Sequence, residues 1–151
     1  MELKTYTVIG MFAWDRRIAE SFEAIDADQA ERMFHPDAAY IAGVIEGEHV
    51  VDPPKAHTEP REYTVIGYYR DNDQRYGTAV WAHSAAEAET EAIYVCNQDN
   101  YPRLPESEYD ENIIVVCGVV EGSHECVDGN SDEYGAVRSQ MDDPLDDTEE
   151  V

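Results

Sequence analysis

The chain has 151 residues, with 34 acids against 10 bases and a formal net charge of -24 at pH 7. A balance that negative excludes nucleic acid, anionic membrane and acidic substrates as direct partners, and favours basic surfaces and cations. With 42% hydrophobic residues the chain can still fold, at the length of one ordinary domain or two very small ones.

Residues 5–13 read as a strand that is apolar on both faces, with Tyr6, Val8 and Phe12 on one and Ile9 and Met11 on the other. That pattern suits a strand inside a sheet. Trp14-Asp15-Arg16-Arg17 is a polar connection, and residues 18–25 form a second strand with Ile18, Phe22, Ala24 and also Glu20 on one face. Asp26 and Gln29 have the spacing of a capping box, in which the first side chain accepts from a first-turn amide and the second reaches back. A short helix follows to about Phe34, and His35-Pro36 stops it, because a residue before proline is pushed out of the helical region. Residues 39–45 read as a third strand, Gly47 turns the chain, and His49, Val50 and Val51 suit a short fourth strand.

The order then repeats. Tyr6-Thr7-Val8-Ile9-Gly10 returns as Tyr63-Thr64-Val65-Ile66-Gly67, and Gly43-Val44-Ile45-Glu46-Gly47-Glu48-His49 returns as Gly118-Val119-Val120-Glu121-Gly122-Ser123-His124. Two matches in one order mark a duplicated structural unit. Between them lie a strand over residues 63–69, a turn at Arg70-Asp71-Asn72-Asp73, and a strand over 76–82. A second capping box, Ser84 with Glu87, opens a helix expected to run to about Val95 with Ala85, Ala88, Ala92 and Val95 on one face. Residues 113–120 form the last strand. The expected fold is therefore α+β: two tandem ββαβ repeats related by a pseudo-two-fold axis, with small antiparallel sheets each covered by one helix.

The expected organisation is repeat unit one over residues 1–52, a proline-containing linker over 53–60, repeat unit two over 61–128, and an acidic, mobile tail over 129–151. Unit two alone holds a long acidic loop, residues 97–112. Without the tail the net charge is still -17, so the acidity belongs to the body. Cys96, Cys117 and Cys126 are odd in number, and the first residues have neither a basic nor an apolar leader pattern. A reducing cytoplasm is the expected location, with no membrane span.

Signals for chemistry are few. The phosphate-binding glycine loops are absent from the sequence. Cys117, His124 and Cys126 match no common zinc spacing. Asp71-Asn72-Asp73 opens like a calcium loop, but Tyr76 and Ala82 stand where that loop needs glycine and glutamate. His49 and His124 occupy matched positions and read as a turn residue retained through duplication. No catalytic residue, metal or cofactor is expected.

The acids remain. Glu87, Glu89 and Glu91 crowd the second helix, and Asp99, Glu106, Glu108, Asp110 and Glu111 follow at once, interleaved with Tyr101 and Tyr109. These ten residues are the expected partner surface: acids to steer encounter with a basic groove and tyrosines as rigid anchors. Duplex DNA carries one charge per about 1.7 Å, so a body roughly 40 Å long would face the equivalent of about 24 phosphates. The charge is of that order. At the level of class, the chain resembles the DNA-mimic inhibitors of restriction, CRISPR and other nucleic-acid-binding systems. That likeness implies a non-enzymatic decoy whose partner is the basic surface of a nucleic-acid-binding protein. Two alternatives stand beside it. Lys4 and Lys55 are the only lysines, a scarcity that a salt-rich cytoplasm also favours. A cleft between the repeats could otherwise serve a small ligand-binding or enzymatic module.

Overall fold

The computed structural model describes residues 2–12, 16–34 and 38–127. The expected acidic tail, the connection at Trp14-Asp15 and the stop at His35-Pro36 lie outside the described residues. The fold is α+β, with two antiparallel three-stranded sheets and two helices. Chain order is β1 (Lys4–Phe12), β2 (Arg16–Ala24), α1 (Ala27–Met33), β3 (Ala38–Glu46), β4 (Arg61–Tyr69), β5 (Arg75–Ala82), α2 (Ala85–Asn100) and β6 (Ile114–Glu121). A single 3-10 turn, Glu106–Glu108, follows α2.

The two apolar faces of β1 and β4 decide the layering. Each is the middle strand of its sheet, in the orders β2-β1-β3 and β5-β4-β6. Tyr6 and Val8 pack with Ala27, Ala30 and Phe34 under α1, while Tyr63 and Val65 pack with Ala88, Ala92 and Cys96 under α2. The opposite faces meet each other: Ile9, Met11, Ala42 and Ile45 of one sheet pack on Ile66, Tyr68, Val115 and Val120 of the other. The layers run helix, sheet, sheet, helix. Neither sheet could bury both faces alone, so the central apolar layer binds the halves into one core.

The ladders of the two halves agree in register. Tyr6 stands opposite Glu46 and Ile9 opposite Gly43; Tyr63 stands opposite Glu121 and Ile66 opposite Gly118. Both ladders shift register at the same place, after Ile9 and after Ile66. Glycine is required there. A Cβ on Gly10 would run into the Tyr40 carbonyl oxygen, and one on Gly67 into that of Val115.

Both capping boxes form, with one difference from the expected pattern. Asp26 Oδ1 accepts from the Gln29 amide at 2.8 Å, and Gln29 Oε1 accepts from the amide of Ile25 rather than of the cap residue itself. Ser84 and Glu87 repeat this, with Glu87 Oε1 accepting from the His83 amide at 2.6 Å. That bond from the His83 backbone is the main reason the Glu87 carboxyl sits below the usual carboxylate range.

Three segments depart from expectation, the first being Arg16 and Arg17, which open β2 opposite Phe12 and Met11 instead of lying in the connection before it. The second helix runs to Asn100, five residues past Val95. Asn97 explains it: its buried side chain donates to the Ile93 and Asp110 carbonyls and accepts from the Asp110 amide, each at 2.9 Å. One side chain thus extends the helix and pins the acidic segment behind it. Residues 49–51 do not form a strand. Instead, the segment after each third strand crosses to the other sheet. The Asp52 amide donates to the Val119 carbonyl, and the Val127 amide donates to that of Val44, both at 2.7 Å. These crossings cover the outer edges of β6 and β3, leaving β2 and β5 as the edges without a further strand among the described residues.

Candidate functional site

The crossing segments build a matched pair of turns. Gly47 and Gly122 take φ of +100° and +98°, the left-handed region that glycine tolerates best. The Thr7 hydroxyl donates to the Gly47 carbonyl and accepts from the His49 amide; Thr64 does the same with Gly122 and His124. Each histidine Nε2 lies 2.9 Å from a carbonyl of its own turn, Glu46 or Glu121. The two rings then meet, with centroids 4.3 Å apart and planes tilted by 58°.

Beside this contact lies a cleft of about 350 Å³, lined among others by Thr7, Arg17, Ser21, His49, Asp52 and Cys117. Two of its charged side chains, Arg17 and Asp52, are already paired, while Glu20 on its rim is exposed. Arg17 donates to Asp52 at 3.2 Å and to Glu89 on α2 at 2.7 Å. Burial works against the Arg17 charge, but the bond to Glu89 and the adjoining Asp52 outweigh it and raise its pKa. Asp52 is itself fixed, at φ +58° with Oδ1 accepting from the Val119 amide. Burial pushes the Cys117 thiol up to about 12, so it stays protonated at neutral pH and is no nucleophile. The cleft can offer hydrogen bonds to a small polar molecule.

A second ion pair mirrors the first. Arg75 of β5 grips Glu31 of α1 through two bonds, at 3.0 and 3.1 Å. Both side chains are at least three-quarters buried, at 24% and 20% exposure. Each helix is thus tied by a glutamate to an arginine on the edge strand of the opposite sheet. Bidentate geometry and partial burial place this pair above an ordinary surface ion pair. A double-mutant cycle with Arg75→Met and Glu31→Gln should return a coupling of about 1–2 kcal/mol, read from chemical melts. Arg17 with Glu89 should return less, about 1 kcal/mol or below, because both are about a third exposed.

The ten residues of the expected partner surface fall into two groups. Glu87, Glu89, Glu106 and Asp110 serve the fold. Glu87 caps α2, Glu89 holds Arg17, Glu106 accepts from the Tyr94 hydroxyl at 2.6 Å, and Asp110 bonds the Asn112 amide and the Asn97 side chain. The bond to Glu106 pushes the Tyr94 phenol up to about 12. Tyr109 is half-buried, with its ring against Tyr94. Glu91, Asp99, Tyr101, Glu108 and Glu111 are exposed, and the four acids have no cationic partner among the described residues. All ten lie on α2 and the segment that Asn97 holds against it. Arg17, Arg75 and Glu31 escaped the sequence reading, although the doubled pattern held a signal: Arg17 aligns with Arg75 and Glu31 with Glu89.

Among the described residues, no group of three or more His, Cys, Asp or Glu side chains is placed to hold a metal ion. No helix there is long and apolar enough to cross a membrane. No family model matches the chain, and no curated protein matches it significantly.

Proposed function

We propose that this chain is a non-enzymatic acidic interaction protein that occupies the basic groove of a nucleic-acid-binding protein, as a nucleic-acid mimic of the anti-restriction or anti-CRISPR class does. In this reading it is a tandem duplication of a ββαβ unit about a pseudo-two-fold axis. The matched registers, turns and arginine–glutamate pairs support that. One observation carries the function: Glu91, Asp99, Glu108 and Glu111 stand exposed on one helix and its following segment, free of any cation among the described residues, and Tyr101 of the same segment is exposed as well. The other four acids of this surface are bonded into the fold, Glu89 by an arginine and Glu87, Glu106 and Asp110 by neutral donors; these four are not.

The test replaces Glu91, Glu108 and Glu111 with lysine and leaves Glu87, Glu89, Glu106 and Asp110, which hold the structure, alone. Against a partner recovered from host lysate, association should slow by about tenfold or more and lose much of its salt dependence. Duplex DNA should displace the wild-type chain from that partner. Lysine at Glu23 and Asp28, exposed acids of the other half, should cost far less. Losses in simple proportion to the charge reversed in each set would mean that net charge alone carries the interaction, and no loss from either would remove the reading. A second reading, charge as adaptation to a salt-rich cytoplasm, is favoured by the presence of only two lysines.

A further inference from the structure

We infer that the open edge of β5 is a docking site for an extended, lysine- or arginine-bearing segment of a partner protein. This inference rests on the reading of the chain as a binder of basic proteins. The two open edges are not alike. The edge strand β2 carries Arg16, Arg17, Glu20 and Glu23, the charges with which proteins guard an edge against strand addition. The edge strand β5, Arg75-Tyr76-Gly77-Thr78-Ala79-Val80-Trp81-Ala82, has no charge beyond Arg75 at its start. At the place where β2 has Glu23, β5 has Trp81, which is 65% exposed.

The ladder fixes which backbone groups face outward. The Tyr69 amide bonds the Gln74 carbonyl, and β4 pairs β5 with no register shift. Hydrogen-bonded pairs therefore recur at Tyr76, Thr78, Val80 and Ala82, and the amides and carbonyls of Gly77, Ala79 and Trp81 face away from β4. No described strand pairs with them. The next outward carbonyl, that of His83, already accepts from the His57 amide of the linker at 2.7 Å. The edge thus already pairs with extended chain at that end. Gly77 and Ala79 leave room beside it.

Charge names the occupant. Trp81 stands directly opposite Glu62 in the ladder. An aromatic face beside a carboxylate suits a lysine or arginine side chain, through cation–π and ionic attraction together. Asp71 and Asp73 flank the other end of the strand. A second copy of the chain would bring another charge of -24 to the same edge, which opposes self-pairing at low salt.

The test uses the full chain and a blocked short peptide of alternating lysine and valine, with a glutamate–valine peptide as control. Amide exchange should slow at Gly77, Ala79 and Trp81 when the lysine peptide is added, and not with the glutamate peptide. Trp81→Glu gives β5 the residue that β2 already carries at that place. Ala79→Pro removes one outward amide without touching the ladder to β4. Each should weaken peptide binding by about tenfold, with core amides at Ile9 and Ile66 still protected. If Ala79→Pro disturbs those core amides, Trp81→Glu decides. Peptide binding with protection elsewhere and wild-type affinity in both variants would overturn the edge site yet leave an acidic binder. An absence of peptide binding would also overturn it, and the lysine variants at Glu91, Glu108 and Glu111 would then judge the wider reading separately. Protection of β5 without peptide, at the mass of a dimer, would assign the edge to a second copy and overturn the inference.

Discussion

Replacing Gly67 by alanine is expected to lower the melting temperature by roughly 10 °C, and Gly10→Ala by a similar amount. At both positions the added methyl meets a backbone carbonyl, of Val115 or of Tyr40, and not the end of a flexible side chain. The ladder would have to open at the register shift, where the middle strand passes from one set of partners to the next. Overpacking of this kind costs about 3 kcal/mol when the neighbour cannot move aside. In a chain of this length each kcal/mol is worth about 2–4 °C. Gly77→Ala supplies the control, since its methyl would rest in ordinary contact at 3.5 Å from the Cys126 sulfur. Thermal melts of the three variants check the expectation. Equal behaviour of Gly67→Ala and Gly77→Ala would mean that the register shift is not held by close approach.

The strands, helix starts and turn positions were legible because each rests on local pattern. Alternation in β1 and β4 named both faces, and the capping residues fixed the first turn of each helix to the residue. What escaped was everything set by how one sheet lies over the other. Arg17 reads locally as part of a polar connection; only the stacking of the sheets brings it to Glu89 on α2. Residues 49–51 alternate weakly and look like a strand, yet their neighbour lies in the other half, so the backbone bonds one residue on, at Asp52. The end of α2 depended on Asn97, whose partner at Asp110 is thirteen residues away and invisible to a helical window. The acidic surface was legible as composition. Its division into acids that hold the fold and acids that face solvent was not, because that depends on which donors, Arg17, Tyr94 and Asn97 among them, the tertiary fold brings to each.

Raising salt is expected to stabilise the fold, and two opposed effects decide the sign. The arginine–glutamate pairs are attractive and lose strength as ions screen them, but they are few and worth at most about 1–2 kcal/mol each. Against them stands a net charge of -24, whose repulsion acts between all parts of the body and is screened as well. The Debye length falls from about 30 Å at 0.01 M, where most of the molecule repels itself, to about 3 Å at 1 M, where only direct neighbours interact. Repulsion therefore loses more than the pairs do, and the melting temperature should rise across that series by roughly 10 °C, equivalent to about 3 kcal/mol. Arg75→Met should steepen the rise, because it deepens the negative charge and removes the attractive pair that salt weakens. The starting point separates the two accounts of the acidity. A chain folded in dilute buffer, with a gradual gain, is what a decoy in an ordinary cytoplasm requires. A chain that folds only above about 0.15 M, where screening reaches about 8 Å, would assign the charge to a salt-rich cell and withdraw the support that acidity lends to the mimic. Melts in sodium chloride and in potassium chloride, followed by circular dichroism, make the measurement; a flat or falling series would mean that the attractive pairs outweigh the net charge.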